Sequence, residues 1–120
     1  MKSRPGSPSL LPRLRIVAGK DIAFGPGKAE LLALVAETGS IGEAAKRMEM
    51  SYMRAWSLVQ MMNRNFKAPV IKAVRGGNER GGAAVTETGR RVLALYQRME
   101  KASRKAVQAD WRDLQKLLRH

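Results

Sequence analysis

The chain has 120 residues, no cysteine, and 23 Lys and Arg against 10 Asp and Glu, a formal charge of +13. That length fits one domain with a core of its own, and the missing thiols exclude disulfide frameworks and thiolate chemistry. The single histidine is the last residue, His120, a poor place for a ligand or a catalytic base. No metal or other cofactor is therefore expected, and Ser-His and Cys-His catalysis are excluded.

A cation surplus this large is a statement about partners. It points to a polyanion, either nucleic acid or an anionic membrane face. No apolar run approaches the roughly 20 residues that span a bilayer. Arg13 and Arg15 interrupt the only stretch that could resemble a signal peptide. The expectation is a cytoplasmic protein with no membrane partner. The charge is uneven: residues 29–69 carry five basic and four acidic side chains. If that segment touches DNA, its acids and bases must lie on different faces.

Residues 1–12 hold three prolines, three serines and a glycine and read as a flexible arm. Leu14 to Val17 and Ile22 to Phe24 flank a turn at Ala18-Gly19-Lys20-Asp21, which predicts a β-hairpin. Gly25-Pro26-Gly27 then breaks the chain. Leu31, Leu32, Leu34 and Val35 fall at helical spacing within residues 28–38, and Gly39 suits the residue after the helix. Ser40 with Glu43 three residues on predicts a capping box, in which the serine accepts the Glu43 N–H and the glutamate reaches back. Ala44, Ala45 and Met48 give this short second helix its apolar face.

Glu49-Met50 forms a tight connection, and Ser51 can cap a third helix running to about Asn65. Ala55, Val59, Met62 and Phe66 form its buried stripe. Tyr52, Arg54, Ser57, Gln60 and Arg64 lie largely off that stripe. Pro69 to Val74 and Ala83 to Thr86 read as two strands joined by a loop with four glycines, Arg75 to Gly82. A final helix starting at Thr86 or Thr88 is expected to run for about 30 residues without interruption. An apolar stripe that includes Val92, Leu95, Met99, Leu114 and Leu117 is too long for so small a body to cover, so part of it should meet another chain.

The order of helix, short helix, turn, helix and hairpin is a mainly α fold with small β, a winged helix-turn-helix. It is preceded by an N-terminal β-hairpin and followed by a long C-terminal dimerisation helix. The expected division is an arm over 1–12, the DNA-binding unit over 13–86 and the helix over 87–120. The second helix of the pair would enter the major groove, with Ser51, Tyr52, Met53 and Arg54 toward base edges. Arg54 suits a bidentate pair with guanine. Trp56, Ser57, Gln60 and Arg64 extend this candidate DNA-binding set, with Trp56 equally suited to the core. Arg75, Asn78 and Arg80 in the glycine loop would hold phosphates as a wing. The loop is not a nucleotide cradle, because no GxxxxGK[ST] pattern is present.

Gly39-Ser40-Ile41-Gly42-Glu43-Ala44-Ala45 resembles the opening of LysR-type helix-turn-helix domains. Met50 to Trp56, and Arg75 to Tyr96 with its paired glycines and Thr86-Glu87-Thr88-Gly89, are closer to the N-terminal DNA-binding domain of the ModE family of molybdate-responsive regulators. The likeness covers roughly residues 14–110. It implies a homodimer that reads a two-fold operator in double-stranded DNA, with the recognition helix over Ser51 to Asn65 and the wing over Arg75 to Thr86. That family continues into a molybdate-binding domain, for which residues up to His120 leave no room. Sensing is therefore expected through a separate molybdate-sensing partner, through another signal, or not at all.

The leading expectation is a sequence-specific transcription regulator. A basic architectural protein that coats nucleic acid would need only charge and no ordered helix pair. No paired carboxylates or nucleophile-base set argues for an enzyme.

Overall fold

The structure is a computed structural model, which describes residues 7–74 and 82–119. Along the chain come β1 (Ile16–Ala18), β2 (Asp21–Phe24), α1 (Pro26–Thr38), α2 (Ile41–Arg47) and α3 (Tyr52–Asn65). Then follow β3 (Ile71–Ala73), β4 (Ala83–Val85), α4 (Glu87–Ala106) and α5 (Gln108–Gln115). β1 pairs antiparallel with β2, and β3 with β4. Residues 7–15 have no regular structure.

The first hairpin turns at Gly19, whose φ of 61° is left-handed, a region open to glycine without cost. Helix α1 begins at Pro26, two residues before its predicted start. Proline in the first turn gives up no helical hydrogen bond, and its fixed φ suits the helix. Gly39 ends α1 with φ 70°, and its N–H donates to the Val35 carbonyl. Leu31, Leu32 and Val35 of the predicted face are fully buried.

Ser40 caps α2 by accepting the Glu43 N–H at 3.0 Å. The reciprocal half of the predicted capping box does not form. The Ser40 N–H donates instead to the Thr38 hydroxyl at 3.3 Å, and the Glu43 carboxylate faces Lys46 at 3.8 Å. A neighbouring hydroxyl thus satisfies the donor that the glutamate would have taken.

The core joins all the early elements. Phe24 is wholly buried, with Tyr96 at 5.0 Å and Phe66 at 6.0 Å, both edge-on. The Tyr96 hydroxyl donates to the Leu14 carbonyl at 2.7 Å. Burial, aided by the Glu100 carboxylate and opposed by Arg15, raises the pKa of this phenol, so it stays a donor. The first three turns of α4 therefore pack in the same core as the hairpin.

The uninterrupted final helix expected from the sequence is divided. Val107, with φ −100° and ψ 4°, ends α4 and precedes α5. At 3.6 residues per turn, eighteen residues make five turns. An unbroken helix would put Asp110 in line with Val92 and turn Trp111 about 100° off the stripe. The apolar residues Val107, Trp111 and Leu114 follow a phase of their own, and with Leu10 they line an apolar hollow of about 280 Å³.

Asn63 ties α3 to the second hairpin. Its side-chain oxygen accepts the Val70 N–H at 2.8 Å and the Ile71 N–H at 3.3 Å, and its amide donates to the Ile71 carbonyl at 3.0 Å. Asn63→Ala leaves those groups without partners and is expected to lower unfolding free energy by about 1–2 kcal/mol. Chemical denaturation measures this, and an unchanged midpoint would show that water replaces the side chain.

Candidate nucleic-acid interface

The α2–α3 connection is short because Glu49 takes a left-handed turn, φ 56°, a conformation that costs a non-glycine residue about 1–2 kcal/mol. The Met50 N–H donates to the Ala45 carbonyl at 3.0 Å and closes the turn. Ser51 then caps α3, accepting the Arg54 N–H at 3.1 Å. The hydroxyl named as a DNA contact is thus also the helix cap.

Ala55, Val59 and Met62 are buried, and Phe66 is half-buried against the core. The opposite face of α3 carries Met53, Trp56, Ser57 and Gln60, all exposed. Their spacing of three and four residues makes them one surface. Trp56 is 43% exposed and lies outside the core. Tyr52 lies to one side, lining a cavity of about 770 Å³ with Ser40, Gly42 and Lys46. Arg54 lies to the other side, lining a smaller cleft with Lys28.

No residue of α3 is acidic. The four acids of residues 29–69 sit on α1, α2 and the turn. Lys46 and Arg47 pair with Glu43 and Glu37 there, so the expected sorting of acids from bases holds for α3 only. The N-terminal end of a helix also carries the positive pole of its dipole. The first turn of α3 is accordingly suited to anionic groups.

Arg64 continues this face four residues beyond Gln60, at the far end of α3, and is held by an acid from another element. Its Nε donates to Asp21 Oδ2 at 3.2 Å, and Asn65 Nδ2 donates to the same oxygen at 3.0 Å. Asp21 thereby ties the first hairpin to the end of α3. The amide of Asn65 and then the guanidinium of Arg64 hold this carboxyl below the usual carboxylate range. A lowered folded-state pKa contributes stability that is complete above the unfolded value. That stability is lost as pH falls through the folded one. The thermal midpoint should drop on acidification below roughly pH 4, and Asp21→Asn should flatten that drop. An identical pH profile for the variant would remove Asp21 from the account.

The second hairpin docks at the junction of α1 and α2, where the Ala83 N–H donates to the Gly39 carbonyl at 3.0 Å. The Thr86 N–H, donating to the Val70 carbonyl at 3.0 Å, closes the base of the hairpin itself. Arg75, Asn78 and Arg80, named for the wing tip, lie outside the described residues. Lys72 and Val74 are exposed on the strand leading toward it. Among the described residues no cluster of acids and histidines could hold a metal ion, and no helix is long and apolar enough to cross a membrane.

The sequence reading missed Lys28, Asn63 and Asp21. Lys28 shares its cleft with Arg54 only through the tertiary fold. The last two pair across eight and 43–44 residues, a separation that leaves no local pattern.

A short helix, a left-handed turn, a capped helix with an acid-free exposed face and a hairpin docked at the junction of α1 and α2 define a winged helix-turn-helix. No protein-family model matches the chain. It is 42% identical over 77 residues to the molybdenum-pterin-binding protein MopB of Rhodobacter capsulatus, covering 64% of this chain and 28% of that protein. It is 33% identical over 90 residues to the molybdenum transport protein ModE of Azotobacter vinelandii, covering 75% and 33%. Against the dual regulator ModE of Escherichia coli K12 it is 33% identical over 81 residues, covering 68% and 31%. A crystal structure of a CbnR_DBD–DNA complex aligns over 68% of this chain and 95% of that one, at TM-score 0.46 and 24% identity. The chain is related to the ModE and Mop group of molybdenum regulators, and it spans about a third or less of their length.

Proposed function

We propose that this chain is a sequence-specific DNA-binding transcription regulator that works as a homodimer on a two-fold operator. The observation that carries this is the exposed, acid-free face of α3 in a protein of charge +13. Met53, Trp56, Ser57 and Gln60 supply apolar and hydrogen-bonding contacts to base edges, with Arg54 at the helix start. The cations of the wing, Arg75 and Arg80 among them, neutralise phosphates and make binding salt-dependent. The role is binding in the cytoplasm, not catalysis.

The dimer reading is supported by the C-terminal helices. Leu95, Met99, Val107, Leu114 and Leu118 are each more than 40% exposed, and an apolar stripe of this kind favours a partner helix. Two copies joined there would present two recognition helices about one turn of DNA apart, or a multiple of it.

Selection of bound duplexes from random DNA, with and without molybdate, tests the reading. An enriched inverted repeat is the expected result, independent of molybdate for this chain alone. Binding without an enriched motif would instead indicate a basic architectural protein.

A further inference from the structure

We infer that the cleft between the first hairpin and the start of α1 holds a phosphate of the DNA backbone, at a contact separate from the wing. This rests on the DNA-binding reading above.

The cleft has a volume of about 230 Å³ and gathers Arg13, Arg15, Lys28 and Arg54 around Ile22 and Met50. No acidic residue lines it. The ion pairs among the described residues are Lys46–Glu43, Arg47–Glu37, Arg64–Asp21 and Lys116–Asp113. None involves these four cations. Asp21, the nearby acid, is already engaged by Arg64 and Asn65.

Four like charges around one hollow repel each other, and the repulsion grows as water is excluded. Burial lowers the Lys28 pKa; the pull of Asp21 opposes this, and the Arg54 charge adds a smaller lowering. An anion in the cleft would reverse that repulsion. Arginine guanidinium groups suit a phosphate in particular, since they can donate two parallel hydrogen bonds to its oxygens.

The position selects the backbone of DNA over a free ion. Arg54 belongs to the first turn of α3, so the cleft opens beside the face that would enter the major groove. Phosphates border that groove, and contacts to them set the register of a recognition helix without reading sequence. The first hairpin thereby acts as a second wing on the opposite side of α3 from the Tyr52 cavity.

The test uses the full chain and a mixed-sequence DNA duplex, with affinity measured by fluorescence anisotropy over a series of salt concentrations. Arg15→Gln with Lys28→Gln is compared with Lys101→Gln with Arg104→Gln, which removes equal charge from the outer part of α4. One phosphate contact is worth a slope of about 0.9 in log affinity against log salt. The cleft pair is expected to lower the slope by about that amount, and the α4 pair by much less. Thermal melts check folding, and Lys28→Gln alone carries the same expectation should the pair unfold the chain.

Equal slope changes for the two pairs, or none for the cleft pair, overturn the cleft while leaving DNA binding intact. No binding of the duplex by the unaltered chain overturns both. Inorganic phosphate, titrated without DNA, separates the sources. If it shifts the amide resonances of Gly27 and Lys28 while the cleft pair keeps the full salt slope, the cleft takes a free oxyanion and the backbone assignment falls.

Discussion

Gly89→Ala should destabilise the protein by about 3 kcal/mol, at the upper end of what overpacking costs. In an exposed helix the same change stabilises by up to about 1 kcal/mol. Here Gly89 is buried in the first turn of α4. A Cβ at that position would overlap the Val70 carbonyl oxygen and lie 2.7 Å from Val85 Cγ1. The first obstacle is backbone and the second is a branched side chain with restricted rotamers, so neither yields easily. Both belong to the base of the second hairpin, where Thr86 also donates to the Pro69 carbonyl at 2.6 Å. The thermal midpoint is expected to fall by roughly 10 °C or more. A midpoint equal to or above that of the unaltered chain would mean that α4 can slide away from the hairpin without loss.

Arg54→Ala should weaken binding to a selected DNA site by about 1–3 kcal/mol and relax the preference at one base pair. The loss on mixed-sequence DNA should be smaller. The side chain is exposed and unpaired among the described residues, so folding stability should stay within about 0.5 kcal/mol. The comparison decides between two roles open to this guanidinium. A loss confined to the selected site makes it a reader of bases. An equal loss on both DNAs places it with Arg13, Arg15 and Lys28 as a holder of phosphate.

Much of the architecture is legible because its signals are local. A cap and the first turn it serves lie within three residues, so Ser40, Ser51 and Thr86 mark the starts of α2, α3 and α4. Gly39 marks the end of α1 because the left-handed conformation excludes most side chains. The buried stripe of α3 follows from helical periodicity, as does the face opposite it.

The final helix shows the limit of such reading. No proline or glycine interrupts residues 90–119, yet the helix breaks at Val107. Periodicity detects that apolar residues recur, but the phase between two runs matters only once both meet a surface. Arg64 shows the same limit for charge. In sequence it looks like Arg54, a cation on the outer part of a helix. Only the fold brings Asp21 to it from the first hairpin.

By itself, the sequence determined the element order as far as the start of the final helix, the side-chain caps at Ser40 and Ser51, the buried stripe of α3 and the cationic character of the protein, since each depends on residues a few positions apart or on composition alone. The tertiary structure decided which cations remain without a carboxylate, which ones share a cleft, and that Asn63 and Gly89 hold the second hairpin against the helices. Those facts depend on distances between segments remote in the chain, and packing alone sets them.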